Sequence, residues 1–409
     1  MNRIELLAPA GDLEKLKYAV IYGADAVYIG GEIFGMRVSA KNFSVEQMAE
    51  GIEFAHQRGA KVYLTLNIIP HNEDIAVLQD YLTAIAELPF DAYIVSDPGV
   101  LSVVKERFPD AELHLSTQAN NTNYRSALFW HQFGVSRVIL ARELSFAEIA
   151  EIRKNVPETL ELEAFVHGSM CISYSGRCLI SNYMTGRDAN QGACAHPCRW
   201  KYHLVEEQRP GEYYPIEETE GGTYFFNSKD LCMIEQIPQL VESGLASLKI
   251  EGRAKTIYYV ASVVRAYRKA LDDYYANPQD YRFDNTLIDE IKKASHREFT
   301  SGFYNEKAAD DSQLYSSSAY IRDYDFIGIV KDYDAATGYA RVEQRNRLFK
   351  GDAIEIMGSG FRGFAQTIEE LLDKDKKPID VAPHAQQIIY IKMDQAVREY
   401  DILRRAVTK

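Results

Sequence analysis

The strongest constraint on this chain is an alternation of short β-branched runs with longer amphipathic stretches. Runs at 4–7, 26–29, 62–66, 92–95, 113–115, 137–140 and 160–166 predict seven strands. Between them, residues 12–22, 45–57, 75–87, 99–108, 123–133 and 146–154 carry apolar side chains at helical spacing. An eighth strand fits 246–250, with a helical stretch at 229–243 before it and a long helix at about 256–275 after it. Eight β-then-α steps predict a closed parallel (β/α)8 barrel. An open doubly wound sheet shares the alternation, but no Gly-rich dinucleotide fingerprint follows the first strand.

Polar or turn residues stand directly after the proposed strands: Pro9 to Gly11, Gly30 and Gly31, Asn67, Ser96 and Asp97, Ser116 to Gln118, Arg142 and Glu143, His167, then Lys249, Glu251 and Arg253. Loop starts are polar in most proteins, yet in a β/α barrel this rim is also where active sites sit. After strand seven an insertion of about sixty residues, 167–228, far exceeds the usual two to six residues of a βα loop. Its middle, 206–222, is an acidic, Gly-containing stretch that reads as a solvated excursion.

All five cysteines fall in or just beyond that insertion. Six residues separate Cys171 from Cys178, fifteen separate Cys178 from Cys194, three separate Cys194 from Cys198, and thirty-three precede Cys232. An odd count in a chain of 409 residues is a poor disulfide framework, so metal or redox chemistry is the better reading. Thiolates suit iron-sulfur or zinc, and the six-residue gap fits the tight pairs of structural zinc less well. Spacing alone does not choose between an iron-sulfur cluster, zinc and free thiols. His167, His196 and His203 lie close enough in sequence to compete as ligands.

The chain carries a net charge of −13, which argues against sequence-blind nucleic-acid binding. Locally the balance reverses: between Cys171 and His203, Arg177, Arg187, Arg199 and Lys201 face only Asp188. Tyr174, Tyr183, Trp200 and Tyr202 interleave with them, a composition suited to stacking bases while neutralising phosphates, and equally to offsetting a cluster with four thiolates. No apolar run approaches a membrane span, and the N-terminus lacks the apolar stretch of a secretory signal, so the expected location is the cytoplasm. After about residue 320 short alternating strands, including 326–330, 339–342, 353–356 and 387–391, predict a small antiparallel β-barrel. The expected domains are 1–320, the barrel with its insertion 167–228, and 321–409.

The stretch from Glu163 through His167, Cys171, Gly176 and Cys178 to Ser181, continued by Gly186 to Trp200 with Cys194 and Cys198, resembles the signature of the peptidase U32 family. Leu7 to Gly11, Asn227 to Asp230, Lys249 to Arg253 and His296 to Phe303 extend the resemblance over nearly the whole chain. Within the family it is most similar to the tRNA hydroxylation branch. That resemblance implies oxygen-independent, prephenate-dependent conversion of a wobble uridine to 5-hydroxyuridine, with ribosomal RNA hydroxylation as a related activity. It further implies an iron-sulfur cluster, of the 4Fe-4S type, on Cys171, Cys178, Cys194 and Cys198, with Cys232 as a possible substitute, and a paralogous U32 partner. The family name implies proteolysis, but no HExxH or GxSxG motif is present, and His167 with Cys171 is the one tempting nucleophile pair. A zinc-stabilised RNA-binding scaffold is the remaining alternative.

On this reading Arg37, Arg142, Lys249 and Arg253 are candidate anchors for a small carboxylate such as prephenate at the rim. Glu143, Glu251 and Lys249 are candidate catalytic groups, each glutamate being equally a partner for the neighbouring Arg142 or Arg253. Arg177, Arg199, Trp200 and Tyr174 are candidate contacts to a tRNA anticodon loop, whose unpaired bases need no duplex opening.

Overall fold

The structure, a computed structural model, describes residues 3–34, 42–171, 173–200, 204–205, 213–214, 229–305 and 320–407. It divides into two compact units. Met1–Val20, Ala24–Lys255 and Arg297–Tyr320 form the first; Ile21–Gly23, Thr256–His296 and Ile321–Lys409 form the second.

In the first unit seven parallel strands follow one another: β1 (Glu5–Pro9), β2 (Ala26–Gly30), β3 (Lys61–Leu66), β4 (Ala92–Val95), β5 (Leu113–Leu115), β6 (Arg137–Ile139) and β7 (Glu161–Ser169). Each pairs with the next, and an eighth strand, Ser247–Ile250, pairs in parallel with both β1 and β7. The sheet therefore closes into the predicted barrel, and the open-sheet alternative is set aside. Strands such as β2 and β4 are buried at every residue, as a parallel sheet covered on both faces requires.

Local chemistry fixes the helices that follow the strands. Ser44 and Ser145 close capping boxes with Gln47 and Glu148, and the Asp97 carboxylate accepts from the N–H groups of Gly99 and Val100. These caps set where each rim loop ends and its helix begins.

The barrel interior holds a buried charge network rather than aliphatic side chains alone. Arg137 donates to Glu5 at 2.6 Å and to Glu163 at 3.3 Å, and Lys249 donates to the other oxygen of Glu163 at 2.8 Å. Tyr63 and Ser247 complete Glu5 at 2.6 and 2.9 Å. Glu163 has no exposed surface and Lys249 only 4%. Burial alone would lower the Arg137 pKa; the carboxylates of Glu163 and Glu5 outweigh it and raise the pKa. The network links β1, β3, β6, β7 and the closing strand.

One segment differs from expectation. Residues 229–243 do not form one helix: Asp230–Cys232 is a strand antiparallel to the end of β7, followed by a short turn of 3-10 helix and the helix Ile237–Glu242. Because β7 runs on to Ser169, its extra length offers a free edge, which Leu231 and Cys232 occupy opposite Gly168 and His167. Asp230 is then fixed by a buried pair with Arg297 at 3.2 Å.

The second unit contains the helices Ile257–Ala276 and Thr286–Lys292 and a seven-stranded antiparallel sheet. Its strand order is Gly363–Thr367, Ala353–Met357, Ile402–Ala406, Tyr324–Asp334, Tyr339–Gln344, Ile388–Lys392 and Leu371–Leu372, an antiparallel half-barrel. Ile327, Val342, Ile354, Ile389 and Leu403 share one core.

Replacing Arg137 with Ala leaves Glu5 buried without its cation, and Glu163 keeps only Lys249. Loss of one partner from such a pair costs about 3–5 kcal/mol. Urea unfolding of Arg137→Ala is expected to show a loss of that size, and a loss below about 1 kcal/mol, as for a surface pair, would contradict the assignment.

Candidate active site at the barrel mouth

The C-terminal ends of the strands surround an open cavity, at the rim where the active sites of β/α barrels sit. Tyr28, Ile94, Ile139 and Phe165 give it apolar walls; Thr65, Asn67, Ser116, Thr117 and Gln118 give it hydroxyls and amides; Arg142, Lys249, Glu251 and Arg253 give it charge. Among the described residues, two guanidinium groups and one amine stand against one carboxylate on its wall, a balance suited to an anion.

Each cation is held differently. Lys249 sits beside Glu163, with its Nζ 4.5 Å from the Tyr28 ring centre and 5.5 Å from that of Phe165. Burial holds its pKa below the usual lysine range, against the opposing pull of Glu163. Arg253 is buried and donates to Asn42 at 2.7 Å and Thr65 at 3.3 Å. Only glycine at position 30 leaves room for it, since a Cβ there would stand 2.0 Å from Nη2. Arg142 stacks 4.0 Å over the Phe165 ring and donates one nitrogen to the Ser169 carbonyl, while its buried Nε has no partner among the described residues.

The cysteine insertion is docked on this rim. Glu143 accepts from the backbone N–H of Ser175 at 3.2 Å, and Thr117 donates to the Ser175 hydroxyl at 3.3 Å. The N–H of Ile69, after β3, donates to the Asn190 carbonyl at 3.1 Å. Gly176, at φ +72°, lies so close to the rim that a Cβ would meet the Gln118 carbonyl at 2.1 Å. The other Glu143 oxygen is buried without a partner among the described residues, and burial raises that carboxyl's pKa.

Cys171, Cys178, Cys194 and Cys198 are free thiols near enough for their charges to interact. Cys171 keeps exposed surface, but protein packed around its sulfur raises its pKa, and Cys178 and Cys194 add to the rise. Cys198 is raised by burial and by the other three thiols. Backbone N–H groups of Ser173 and His196 point at the sulfurs of Cys171 and Cys194, the latter at 3.4 Å. Among the described residues no group of three or more His, Cys, Asp or Glu side chains is arranged to hold a metal ion. Cys232 stands in the Asp230–Cys232 strand, in register with the buried His167, and not in a helix.

Of the residues singled out from sequence, Arg142, Lys249, Glu251 and Arg253 line the cavity together. Glu143 is absent from the cavity wall and holds the cysteine loop instead. Arg199 donates to the Met170 carbonyl at 3.2 Å and lies near the Cys198 thiol; Arg177 is exposed. Tyr174 and Trp200 are 58% and 43% exposed on the insertion. Asp97 caps a helix, and His196 is exposed at φ +56°. Arg37, Lys201, Tyr202 and His203 lie outside the described residues. Sequence reasoning missed Tyr28, Thr65, Phe165 and Glu163, which lie within strands rather than after them.

The model of peptidase family U32 matches residues 11–314, and that of the family's C-terminal domain matches 322–404. The chain belongs to the peptidase U32 family. It is 43% identical to tRNA hydroxylation protein P1 of Bacillus subtilis (strain 168), over 98% of this chain and 94% of that protein. It is 38% identical to tRNA hydroxylation protein P of Escherichia coli (strain K12), over 99% and 97%. To the 23S rRNA 5-hydroxycytidine C2501 synthase of Escherichia coli (strain K12) it is 36% identical, over 90% of this chain and 55% of that protein. No described helix is long and apolar enough to cross a membrane.

A side chain at position 176 must break the contact with Gln118 and adopt a left-handed backbone at a cost of about 1–2 kcal/mol. Gly176→Ala is expected to speed tryptic cleavage after Arg177 several-fold without changing the global unfolding midpoint. Cleavage at the wild-type rate would contradict the docking.

Proposed function

We propose that this protein hydroxylates RNA, converting a wobble uridine of tRNA to 5-hydroxyuridine with prephenate as the hydroxyl source and an iron-sulfur cluster as cofactor. The observation that carries the reading is the cavity lined by Arg142, Lys249 and Arg253 with the four-cysteine insertion docked on its rim, in a chain matched over nearly its whole length by proteins named for tRNA hydroxylation.

Cys171, Cys178, Cys194 and Cys198 would hold the cluster. A single ion requires every sulfur about 2.3 Å from one centre, whereas a four-iron cluster places a different iron against each thiolate and accepts a wider set. Four thiols near enough for their charges to interact supply such a donor set. N–H groups aimed at sulfur and the nearby Arg142 and Arg199 oppose the rise that burial imposes on these thiols. When bound, the cluster would supply electron transfer.

The remaining work falls to the chain's own residues. Arg142 and Arg253 would bind the donor's carboxylates, Tyr28 and Phe165 would pack its ring, and Gln118, Asn67 and Thr117 would orient its hydroxyl. Tyr174 and Trp200 would offer exposed rings for an unstacked base, and the exposed Arg177, in the same turn as Tyr174, a contact for phosphate.

Mass spectrometry of tRNA nucleosides tests the reading. In a strain lacking all U32 genes of this branch, expression of the chain is expected to restore 5-hydroxyuridine, and Arg142→Ala to lower it at least tenfold, as loss of a charge-assisted contact of more than 1.4 kcal/mol requires. Failure of the wild-type chain to restore it would refute the substrate. Anaerobically purified protein is expected to be brown with about four irons per chain, and stoichiometric zinc in a colourless protein would refute the cofactor.

A further inference from the structure

We propose that Lys249 forms a covalent imine with the ketone carbon of a 2-oxo acid bound in the mouth cavity. The inference rests on the donor reading above, since prephenate is itself a 2-oxo acid, and it assigns the amine a role that electrostatic anchoring does not require.

Among the described residues Lys249 is the one amine on a wall that already presents two guanidinium groups. For holding a carboxylate, arginine is the better residue: planar, permanently charged and bidentate. What lysine adds is a nitrogen that can shed its proton and attack a carbonyl, a capacity that burial promotes. The surroundings of Lys249 favour that state. Only 4% of the residue is exposed, the rings of Tyr28 and Phe165 stand 4.5 and 5.5 Å away, and Arg137 shares Glu163 with it, adding a second positive charge nearby.

Glu163 supplies the proton acceptor. It is fully buried, receives a hydrogen bond from Lys249 at 2.8 Å, and is held from its other oxygen by Arg137 at 3.3 Å. A carboxylate so placed takes the ammonium proton to free the amine and returns it to the departing hydroxyl. With the substrate's carboxylate on Arg142 or Arg253 at the mouth, the adjacent ketone is directed toward the amine on the same wall.

The step balances without an oxidant or reductant. The Lys249 nitrogen attacks the ketone carbon, an N–C bond forms, and the carbonyl π pair moves to oxygen, which takes a proton from the newly bonded nitrogen. The C–O bond of this carbinolamine then breaks, water leaves, and the nitrogen lone pair forms the C=N bond. Amine and ketone become imine and water; hydrolysis reverses the step and frees Lys249.

Borohydride reduction tests this on the intact chain. Full-length protein is incubated separately with pyruvate, as the simplest probe, and with prephenate, treated with sodium borohydride, digested and mapped by mass spectrometry. The expected result is a reduced adduct on the peptide carrying Lys249 with either probe, and none there in Lys249→Arg. An unmodified Lys249 peptide in the wild-type protein, with adducts absent or confined to other lysines, overturns the proposal; this outcome needs no variant to fold. Restored tRNA hydroxylation without a Lys249 adduct sinks the imine alone. A Lys249 adduct in a chain that restores no hydroxylation upholds the imine and refutes the tRNA reading.

Discussion

Glu163 is the group around which the barrel is organised. It is a carboxylate with no exposed surface, held between Arg137 and Lys249, and removing it from water costs several kcal/mol that only close cations offset. Its two partners come from β6 and the closing strand, and Arg137 reaches on to Glu5 of β1. One side chain thus ties the strands where the barrel closes and places an amine at the floor of the mouth. The polar interior departs from the branched aliphatic layers usual in such barrels. The departure is productive: the ion pair that joins the strands also presents Lys249 to the cavity.

The second organising contact is the seat of the cysteine insertion. Glu143, Thr117, Gln118 and Ile69 belong to the loops after β6, β5 and β3, and each touches the insertion through backbone or a short side chain. Glu143 illustrates how a rim residue can serve the site without lining it, with one oxygen spent on Ser175 and the other buried. The surface of the insertion carries arginines and exposed aromatic rings in a chain of net charge −13. On the proposed function, such a local reversal of sign would offer an RNA loop both phosphate and base contacts.

Much of the barrel was legible because period and length agree. Each β run was followed by a helical stretch, and caps such as Ser44 and Ser145 sit where the pattern changes. Rim residues were legible by position alone, since Asn67, Ser116 to Gln118, Arg142, Lys249, Glu251 and Arg253 directly follow or end strands. Residues inside strands were not. A strand buried on both faces shows no alternation to mark which side chains point into the cavity, so Tyr28, Thr65 and Phe165 read as plain apolar strand. The partnership of Glu5 with Arg137 spans 132 residues and leaves no local signal. The Asp230–Cys232 strand is three residues long, too short for a period, and its partners are the overrunning end of β7 and the distant Phe299–Thr300. In the second unit, Ile402–Ala406 was obscured by Arg404, which is buried against Glu290 and Glu355 and so looks polar where it is core.

The central claim is that the mouth cavity and its cysteine insertion together hydroxylate RNA. Reconstitution tests it most directly: anaerobically purified, iron-loaded protein is mixed with tRNA lacking the modification, with prephenate as the only added hydroxyl donor, and the nucleosides are quantified. The account predicts 5-hydroxyuridine that accumulates with time in the wild-type protein and is absent for Cys194→Ala. Product formed equally well by Cys194→Ala, or none from iron-loaded wild-type protein supplied with prephenate and an electron source, would contradict it.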